Sequence, residues 1–584
     1  MNKITSLFRK ASEFFLSHKF IITFLVLLFA VLLTNTFHEK YPDEFDSIVG
    51  GKYILQGKVP YRDWFQHHQP GAYVLAATIL PFSGTSFVRF RLGLAIIYFL
   101  IFTSSYVLLK RRIGKTISPG FYLVYMMIAA ITATYYWGQM LLADTLASLL
   151  IIPALALMLV REYTRESYSL RDVLFISLFC FFVWFNSMTY IIVVVLLTGF
   201  VWLKYMKSQL LIKNRNKILL KSIAIIAAPY ILFFLFFLLT GSIKEYYFAN
   251  ITYNSNYYIY NYPRPKGKPV NPIRYAIVIA HDTLGAYTTQ ISGIYKLPLF
   301  DPVNMSLAVS MLGGILYFLI RGNYSFSVLL ILFLIYENAR GNPLTLRQTD
   351  YQSSMYILTS LLTGIFVIWA IYKDLSSKNT LSLGQKIYFG CILLTVSFYS
   401  FLSFPYLSMQ WFNKTYDKYM GTAPLIYDRP VIAPILNSVL TPQDYAWIGP
   451  FNFEELFYLK EKVPSKYHWF LDPAAISTKI RTELLSDFER HKAPIIVFNQ
   501  NYAPWGKPED FNTFFTEYLK KNYVRLEDIN SESTTVRYKW KDPYQGNFDL
   551  ISMMYFEKST AKELVQRLMD KGYFYSEPIK TPAK

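Results

Sequence analysis

Three carboxylates, Asp43, Glu44 and Asp46, lie close together just after the first long apolar run. The segment reads His38-Glu-Lys-Tyr-Pro-Asp43-Glu44-Phe-Asp46. Adjacent carboxylates beside a membrane raise one another's proton affinity, and desolvation adds to this effect, so one of them can act as a general base. The alternative is a solvated cap on a short interfacial helix over 47–56, whose dipole favours negative charge at its start. The residue types alone leave both interpretations open.

Further along the same segment are groups that can bind phosphate. Arg91 lies in Val88-Arg-Phe-Arg91-Leu-Gly93. A guanidinium matches phosphate oxygens with its planar fork. The alternative for Arg91 is an interfacial residue that extends its head group to water. His67-His68-Gln69-Pro70 places two histidines side by side. No paired ligand spacing accompanies them, so a divalent metal is allowed but not favoured.

Other charged candidates lie farther along the chain. Asp144 stands at the start of an otherwise apolar run. A charge at mid-membrane costs roughly 2.5–3.5 kcal/mol, so Asp144 indicates function or a simple helix cap. Arg340 and Arg347 lie in a short loop and are secondary phosphate candidates. Loop 241–302 is rich in Tyr, Asn and Pro. Tyrosines can stack on sugar faces, but an interfacial aromatic belt is the favoured interpretation.

The composition indicates an integral membrane protein. The chain is 53% hydrophobic and 16% charged. Soluble proteins have about a quarter of their residues charged. The net charge of +20 lies mostly in short loops between apolar runs, which argues against nucleic acid as a partner. Cys180 and Cys391 lie inside apolar runs, so a disulfide framework or a cysteine zinc site is not expected. Walker, GxSxG and dinucleotide motifs are absent, which disfavours nucleotide-driven transport and hydrolase chemistry.

About eleven apolar segments have the length of membrane-spanning helices. They are 20–37, 88–109, 118–138, 143–160, 173–186, 188–203, 218–240, 303–320, 323–337, 354–372 and 386–404. Segment 173–203 is predicted to be a tight helical hairpin broken at Asn186-Ser187. Segment 71–82 is too short to span and is placed in the outer interface.

Basic residues give the orientation. Lys and Arg concentrate in alternate loops, at 3–19, 110–115, 161–171, 204–221, 321 and 373–386, whereas acids are few there. Such loops face the cytoplasm. We therefore predict a multi-pass protein of the plasma membrane with a cytoplasmic amino terminus, no cleavable signal peptide and a carboxyl-terminal domain outside the cytoplasm.

The chain divides into two predicted domains, a membrane body over 1–404 and a soluble extracytoplasmic α/β domain over 405–584. In the second domain, 493–498 is typical of a buried strand and 511–521 has helical spacing. Val536, Tyr538 and Trp540 alternate with polar residues as in a strand.

Segment 42–93 carries a specific resemblance. A Pro-Asp-Glu after the first helix, then Gly57-Lys-Val-Pro-Tyr-Arg-Asp63 and a His/Pro turn, resembles the GT-C glycosyltransferases. The closest group is the glycosyltransferase family 39 type, which includes protein O-mannosyltransferases and the aminoarabinose transferase of lipid A. The resemblance covers roughly 20–404 and implies that 1–404 is a GT-C-like catalytic domain with about eleven transmembrane helices.

The resemblance implies inverting transfer of a sugar from a polyprenyl-phosphate donor to an acceptor hydroxyl on the outer face. Asp43 then takes the role of the base, Glu44 is its neighbour, Arg91 matches the family arginine that opens the second helix, and Asp144 is a cavity acid. The acceptor class is a glycan, a lipid or a protein. The family commonly has an acid or Lys before Pro, where this chain has Gln69. His68 is therefore left as the substitute hydrogen-bond donor to the phosphate.

Two other function classes compete with a transferase. A transporter or flippase of glycolipid intermediates predicts repeat symmetry and ionisable groups at the bilayer midplane, whereas the polar candidates here gather at the outer face. A non-catalytic scaffold or sensor predicts that Asp43 and Glu44 can be replaced without loss.

Overall fold

The computed structural model describes residues 18–113, 119–209, 215–258, 272–292, 302–337, 351–376, 381–419, 430–450, 452–468, 475, 477–501, 508–532, 536–540 and 553–578. The chain forms two compact units. The helical unit comprises Met1–Tyr41, Gln69–Phe236 and Asn271–Tyr427. The mixed unit comprises Pro42–His68, Phe237–Val270 and Asp428–Lys584.

Helices α1 to α15 lie in the described part of the chain up to residue 419. They are α1 His18–Asn35, α2 Pro42–Leu55, α3 Gly71–Ser83, α4 Phe87–Ile113, α5 Gly120–Thr132, α6 Ala143–Thr164, α7 Leu170–Asn186, α8 Ile191–Ser208, α9 Arg215–Leu239, α10 Ile243–Tyr247, α11 Pro272–Ser292, α12 Pro302–Ile320, α13 Tyr324–Tyr336, α14 Ser354–Ser376 and α15 Leu383–Tyr419. A π-helix, Phe248–Tyr258, follows α10.

The predicted polytopic α-helical fold is confirmed. Each of the eleven predicted spans coincides with a helix, and seven helices in the described part of the chain are long and apolar enough to cross a membrane. The others, α1, α5, α7 and α13, have 13 to 18 residues. Helix α3 has 13 residues. That length, which α5 and α13 share, is too short to span about 30 Å of hydrocarbon, as the sequence predicted for segment 71–82.

The predicted hairpin over 173–203 is also confirmed. Helix α7 ends at Asn186, Ser187 is extended with φ −148° and ψ 115°, and a 3₁₀ turn leads into α8. The Asn186 amide donates to the Phe182 carbonyl (2.7 Å), and the hydroxyl oxygens of Ser187 and Thr189 lie 2.7 Å apart. Such local side-chain bonds compete with helical ones and so fix the break.

The treatment of 241–302 as a loop was wrong. Helix α10, the π-helix and the 21-residue helix α11 lie in this segment. Its many Tyr, Asn and Pro residues disfavour a helix individually, but apolar residues at helical spacing override that preference.

Described residues of four basic loops, at 161–171, 204–221, 321 and 373–386, meet at one end of the helical unit. Ion pairs join them, among them Arg161–Asp172 (3.2 Å), Lys204–Glu162 (3.2 Å) and Arg321–Asp374 (3.6 Å). The Asn323 amide also donates to the Glu162 carboxylate at 2.7 Å. These acids are thus paired with cations of the basic loops. We call this end of the helical unit, which the three ion pairs named above mark, the basic end.

The carboxyl-terminal part of the mixed unit combines helices and strands, which confirms the predicted α/β character. Its elements are α16 Ile432–Val439, β1 Ala446–Gly449, α17 Phe453–Tyr458, α18 Thr478–Arg490, β2 Ile495–Phe498, α19 Pro508–Asn522, β3 Tyr523–Arg525, α20 Leu526–Glu532, β4 Val536–Trp540, β5 Met554–Glu557, α21 Ala561–Asp570 and β6 Phe574–Pro578. One sheet has the order β1-β2-β5-β3, in which β1 and β2 are parallel and the other pairs antiparallel, and β4 pairs with β6.

The strands and helices predicted in this part lie where expected. Strand β2 is buried along its whole length, and α19 and β4 cover the segments predicted as helix and strand. An unbroken apolar run of this length is typical of a strand with both faces covered. Helix α15 continues past the predicted boundary at 404 to Tyr419, so no break in secondary structure marks that boundary.

Close packing of α3 against the hairpin provides a test of the helical unit. A Cβ on Gly71 would meet the Asn186 side chain and would lie 2.8 Å from the backbone oxygen of Phe185, which cannot rotate away. We expect Gly71→Ala to lower the free energy of unfolding by about 1–3 kcal/mol, measured by thermal unfolding in detergent. Gly199→Ala is the matched control, because nothing lies within 4 Å of its added Cβ. Equal stability of the two variants would contradict this packing.

Candidate active site

The three neighbouring carboxylates have different environments although they share one turn of α2. Proline begins this helix, and Asp43 and Glu44 fall in its first turn. Negative charge is favoured there by the helix dipole. Glu44 is 0% exposed and Asp46 is 8% exposed, whereas Asp43 is partly exposed. Asp43 is therefore the most solvent-accessible of the three carboxylates.

Asp46 is held by a buried amide. Nε2 of Gln66 donates to the two carboxylate oxygens of Asp46 at 2.9 and 2.7 Å, and the Gln66 carbonyl oxygen accepts from the His67 backbone N–H at 2.8 Å. Nε2 of His468 lies 3.8 Å from the Asp46 carboxylate. That separation is beyond hydrogen-bond length. Asp46 thus links α2 to the segment that carries the two histidines.

The far end of α2 is fixed by the half-buried ammonium group of Lys52. Nζ of Lys52 donates to the carbonyl oxygens of Leu456 (3.0 Å), Phe457 (3.2 Å) and Leu459, at the carboxyl end of α17. A cation at this position satisfies the last carbonyls of a helix and interacts favourably with its dipole. Burial lowers the pKa of Lys52 to about 8. The contact fixes the orientation of the helix that begins with Asp43.

The Gly-Lys-Val-Pro-Tyr-Arg-Asp stretch forms a tight loop. Tyr61 has φ +69°, and its hydroxyl donates to the His68 carbonyl at 2.8 Å. A positive φ is rare for a bulky residue. The Asp63 carboxylate accepts from the Val59 backbone N–H at 2.7 Å and pairs with the exposed Arg62, whose guanidinium lowers the pKa of Asp63. These contacts hold the backbone of residues 59–68 in place, so the sequence pattern has a structural role.

The two histidines pack against the π-helix. His67 is 7% exposed, and its ring centroid lies 4.0 Å from that of His68 and 4.6 Å from that of Tyr258. Nδ2 of Asn254 donates to the His67 carbonyl at 3.0 Å. Tyr253 is fully buried against these rings, so it packs in the interior rather than at a membrane surface. His68 is partly exposed and is the accessible histidine of the pair.

Arg91 is buried in the helical unit. It is 1% exposed, its Nη2 donates to the Glu39 carbonyl at 2.8 Å, and its guanidinium lies 5.1 Å from the Phe87 ring. A cavity of about 20 Å³ lies beside it and is also lined by Asn35 and Gln139. Such a cavity has room for about one water. The snorkelling alternative required the guanidinium to reach bulk water, and it does not. The guanidinium instead holds the backbone at Glu39, four residues before Asp43.

Asp144 belongs to a buried hydroxyl network in the helical unit. It is 2% exposed, and its carboxylate accepts from the Ser187 hydroxyl at 3.0 Å. Its backbone carbonyl accepts from Ser148, whose hydroxyl lies 2.8 Å from that of Ser354. The acid joins α6 to the break of the hairpin and to α14.

Two of the predicted phosphate-binding residues, Arg340 and Arg347, lie outside the described residues. Within the described part of the chain, no group of three or more His, Cys, Asp or Glu side chains is placed to hold a metal ion. The metal, the roles of Asp43 and Glu44, and the phosphate contacts stay predictions.

Sequence reasoning missed three residues around α2, namely Lys52, Gln66 and His468. Gln66 directly precedes the histidine pair, and its position in that polar motif was a signal that could have identified it. His468 lies more than four hundred positions away from Asp46, so no local pattern relates the two. Lys52 resembled an ordinary solvated lysine until α17 provided three carbonyl partners.

No family model and no curated protein matches the chain. Among solved structures, the chain is similar to the apo crystal structure of the Archaeoglobus fulgidus oligosaccharyltransferase, with 13% sequence identity and a TM-score of 0.39, over 82% of this chain and 70% of that chain. A likeness at this identity and TM-score assigns no function to the chain.

Replacing Gln66 tests whether it holds the acid turn. Gln66→Leu leaves the buried Asp46 carboxylate without two hydrogen bonds, so we expect a loss of about 1–3 kcal/mol in unfolding free energy, measured by thermal unfolding. Gln443→Leu, at an exposed glutamine in the same unit, is the control. Adding Asp46→Leu to Gln66→Leu should restore part of the loss, because both polar partners are then removed together. Additive losses would contradict a direct contact.

Proposed function

We propose that this protein is a membrane glycosyltransferase of the GT-C type that moves a sugar from a polyprenyl-phosphate donor to an acceptor hydroxyl. The observation that carries the proposal is the partial exposure of Asp43 beside two buried carboxylates, at the position that the sequence resemblance gives to the base. A catalytic base must touch the proton that it removes. Glu44 is fully buried, and Asp46 is held by Gln66.

The reaction is a single displacement. The acceptor oxygen forms a bond to the anomeric carbon while the bond from that carbon to the phosphate oxygen breaks. The proton of the acceptor hydroxyl passes to the Asp43 carboxylate, and the polyprenyl phosphate leaves with the bonding electron pair. Attack opposite the leaving group inverts the anomeric configuration.

The departing phosphate needs positive charge or hydrogen-bond donors. His68 is partly exposed and follows the loop that Tyr61 fixes, so it is our first candidate among the described residues. Arg340 and Arg347 are further candidates. Arg91 we assign to positioning, because its described contact is with the Glu39 carbonyl and its side chain is buried.

We place the reaction on the outer face of the plasma membrane. Helix α6 has 22 residues. It therefore extends about 33 Å. Arg161 and Glu162 near its end belong to the basic end, so Asp144 at its start lies at the opposite end. The positive-inside rule assigns the basic end to the cytoplasm. The acceptor is a glycan, a lipid or a protein hydroxyl, and the donor enters from the bilayer.

The direct test is transfer by purified protein in nanodiscs with radiolabelled polyprenyl-phosphate sugars. Asp43→Asn keeps the size of the side chain and removes the base, so we expect the turnover rate to fall about 100- to 10,000-fold. Asp570→Asn, the same change at an exposed residue at the end of α21, should transfer at the wild-type rate.

Other outcomes would contradict the assignment. Equal rates for wild type and Asp43→Asn would exclude Asp43 as the base and direct the search to Asp144. Movement of intact donor across the bilayer without any transfer would exclude the transferase and favour a flippase.

A further inference from the structure

Three aromatic side chains from three separate connections meet in the helical unit. The ring centroids of Tyr41 and Trp137 are 4.9 Å apart, those of Tyr41 and Tyr351 are 5.9 Å apart, and those of Trp137 and Tyr351 are 6.2 Å apart. All three side chains are partly exposed. We call this set the aromatic platform.

The platform lies at the end of the helical unit opposite the basic end. Trp137 precedes α6, and Tyr351 precedes α14. Both helices carry basic-end residues near their carboxyl ends, Arg161 in α6 and Asp374 in α14. The connections before these helices therefore lie at the other end, where Asp144 also begins α6.

The backbone at Trp137 is strained and well fixed. Its φ is +59°. Such a value is an outlier for a bulky side chain and persists only where the surroundings impose it. The Gly138 N–H donates to the Ala133 carbonyl (2.7 Å), and the Met140 N–H donates to the Trp137 carbonyl (3.1 Å). The Tyr98 hydroxyl donates to the Met140 carbonyl at 2.9 Å. The turn thus holds the indole ring in the platform.

Ring orientation restricts the kind of ligand. The three interplanar angles are 37°, 48° and 24°, so the rings are stacked or tilted on one another and none stands perpendicular to another. They do not form the box of upright walls that encloses a quaternary ammonium group. A pyranose ring stacks the C–H groups of one face on a partly exposed aromatic ring, and the hydroxyls at its edge can bond to tyrosine hydroxyls.

An interfacial aromatic belt is a weaker explanation. Belt residues lie at the membrane interfaces with their rings at the level of the lipid headgroups. In this unit the rings come from connections far apart in sequence and pack on each other, and one of them retains backbone strain.

We propose that the aromatic platform binds the sugar ring of the lipid-linked donor. This inference rests on the proposed transferase function and names the residues that receive the donor sugar. The platform is built entirely from the helical unit, to which a donor anchored in the bilayer has direct access. Tyr41 also lies two residues before Asp43, and Trp137 lies seven residues before Asp144.

Equilibrium binding to the protein in nanodiscs tests the platform. The probes are undecaprenyl phosphate carrying glucose, mannose or 4-amino-4-deoxyarabinose, and undecaprenyl phosphate without sugar. For the sugar lipid that wild type binds best, we expect Trp137→Ala to weaken binding at least about tenfold, as loss of a stacked ring should. Binding of the sugar-free lipid should change less than about twofold, which corresponds to about 0.4 kcal/mol.

Matched variants separate stacking from damage to the fold. Trp137→Phe keeps a ring and should retain most of the affinity, and Tyr41→Ala should show the same selective loss as Trp137→Ala. Tyr324→Ala removes a ring that is 66% exposed at the start of α13 and should bind both lipids like wild type.

Three results would overturn the proposal. They are equal weakening of the sugar-bearing and sugar-free lipids, unchanged binding by Trp137→Ala and Tyr41→Ala, and failure of wild type to prefer any sugar lipid. The expected binding pattern without any sugar transfer would support the aromatic platform as a sugar-binding site and exclude the transferase function. Transfer by a Trp137→Ala protein with unchanged donor binding would exclude the platform alone.

Discussion

The free-energy cost of burying a charged side chain in hydrocarbon determines where this chain can hold ionisable groups. A charged side chain in the middle of a bilayer is unfavourable, so ionisable groups of membrane helices collect at helix ends or pair with one another. The helical unit obeys this rule at both ends. One end is occupied by ion pairs such as Lys204–Glu162 and Arg321–Asp374, and the other carries Asp144 within a network of hydroxyls.

The same constraint explains why three adjacent acids have different environments. Glu44 and Asp46 are buried in the mixed unit. A buried carboxylate needs hydrogen-bond donors. Gln66 supplies them to Asp46, while Asp43 occupies the helix start and remains partly exposed. Lys52 fixes the other end of α2 through three carbonyls, so the helix that carries the proposed base is held by polar contacts on both sides of its middle.

Much of the fold could be predicted from sequence because membrane helices are determined by local composition. Apolar length located the eleven helices that were predicted as spans, and Asn186-Ser187 alone located the hairpin break. Helix α11 was missed, since its polar residues concealed a helical period. The candidate site was predicted less completely. The acids and histidines followed from their types and spacing, but the burial of Glu44 and the contact of Arg91 with Glu39 depend on tertiary packing. The meeting of Tyr41, Trp137 and Tyr351 depends on helix order, which no local pattern encodes.

The stereochemistry of the product tests the central claim most directly. Nuclear magnetic resonance of the glycoside formed by wild type from a polyprenyl-phosphate sugar of known anomeric configuration would report it. A single displacement with one accessible carboxylate as base predicts complete inversion. Retention would contradict the account, because it requires a covalent glycosyl intermediate on a second carboxylate placed about 5 Å from the first.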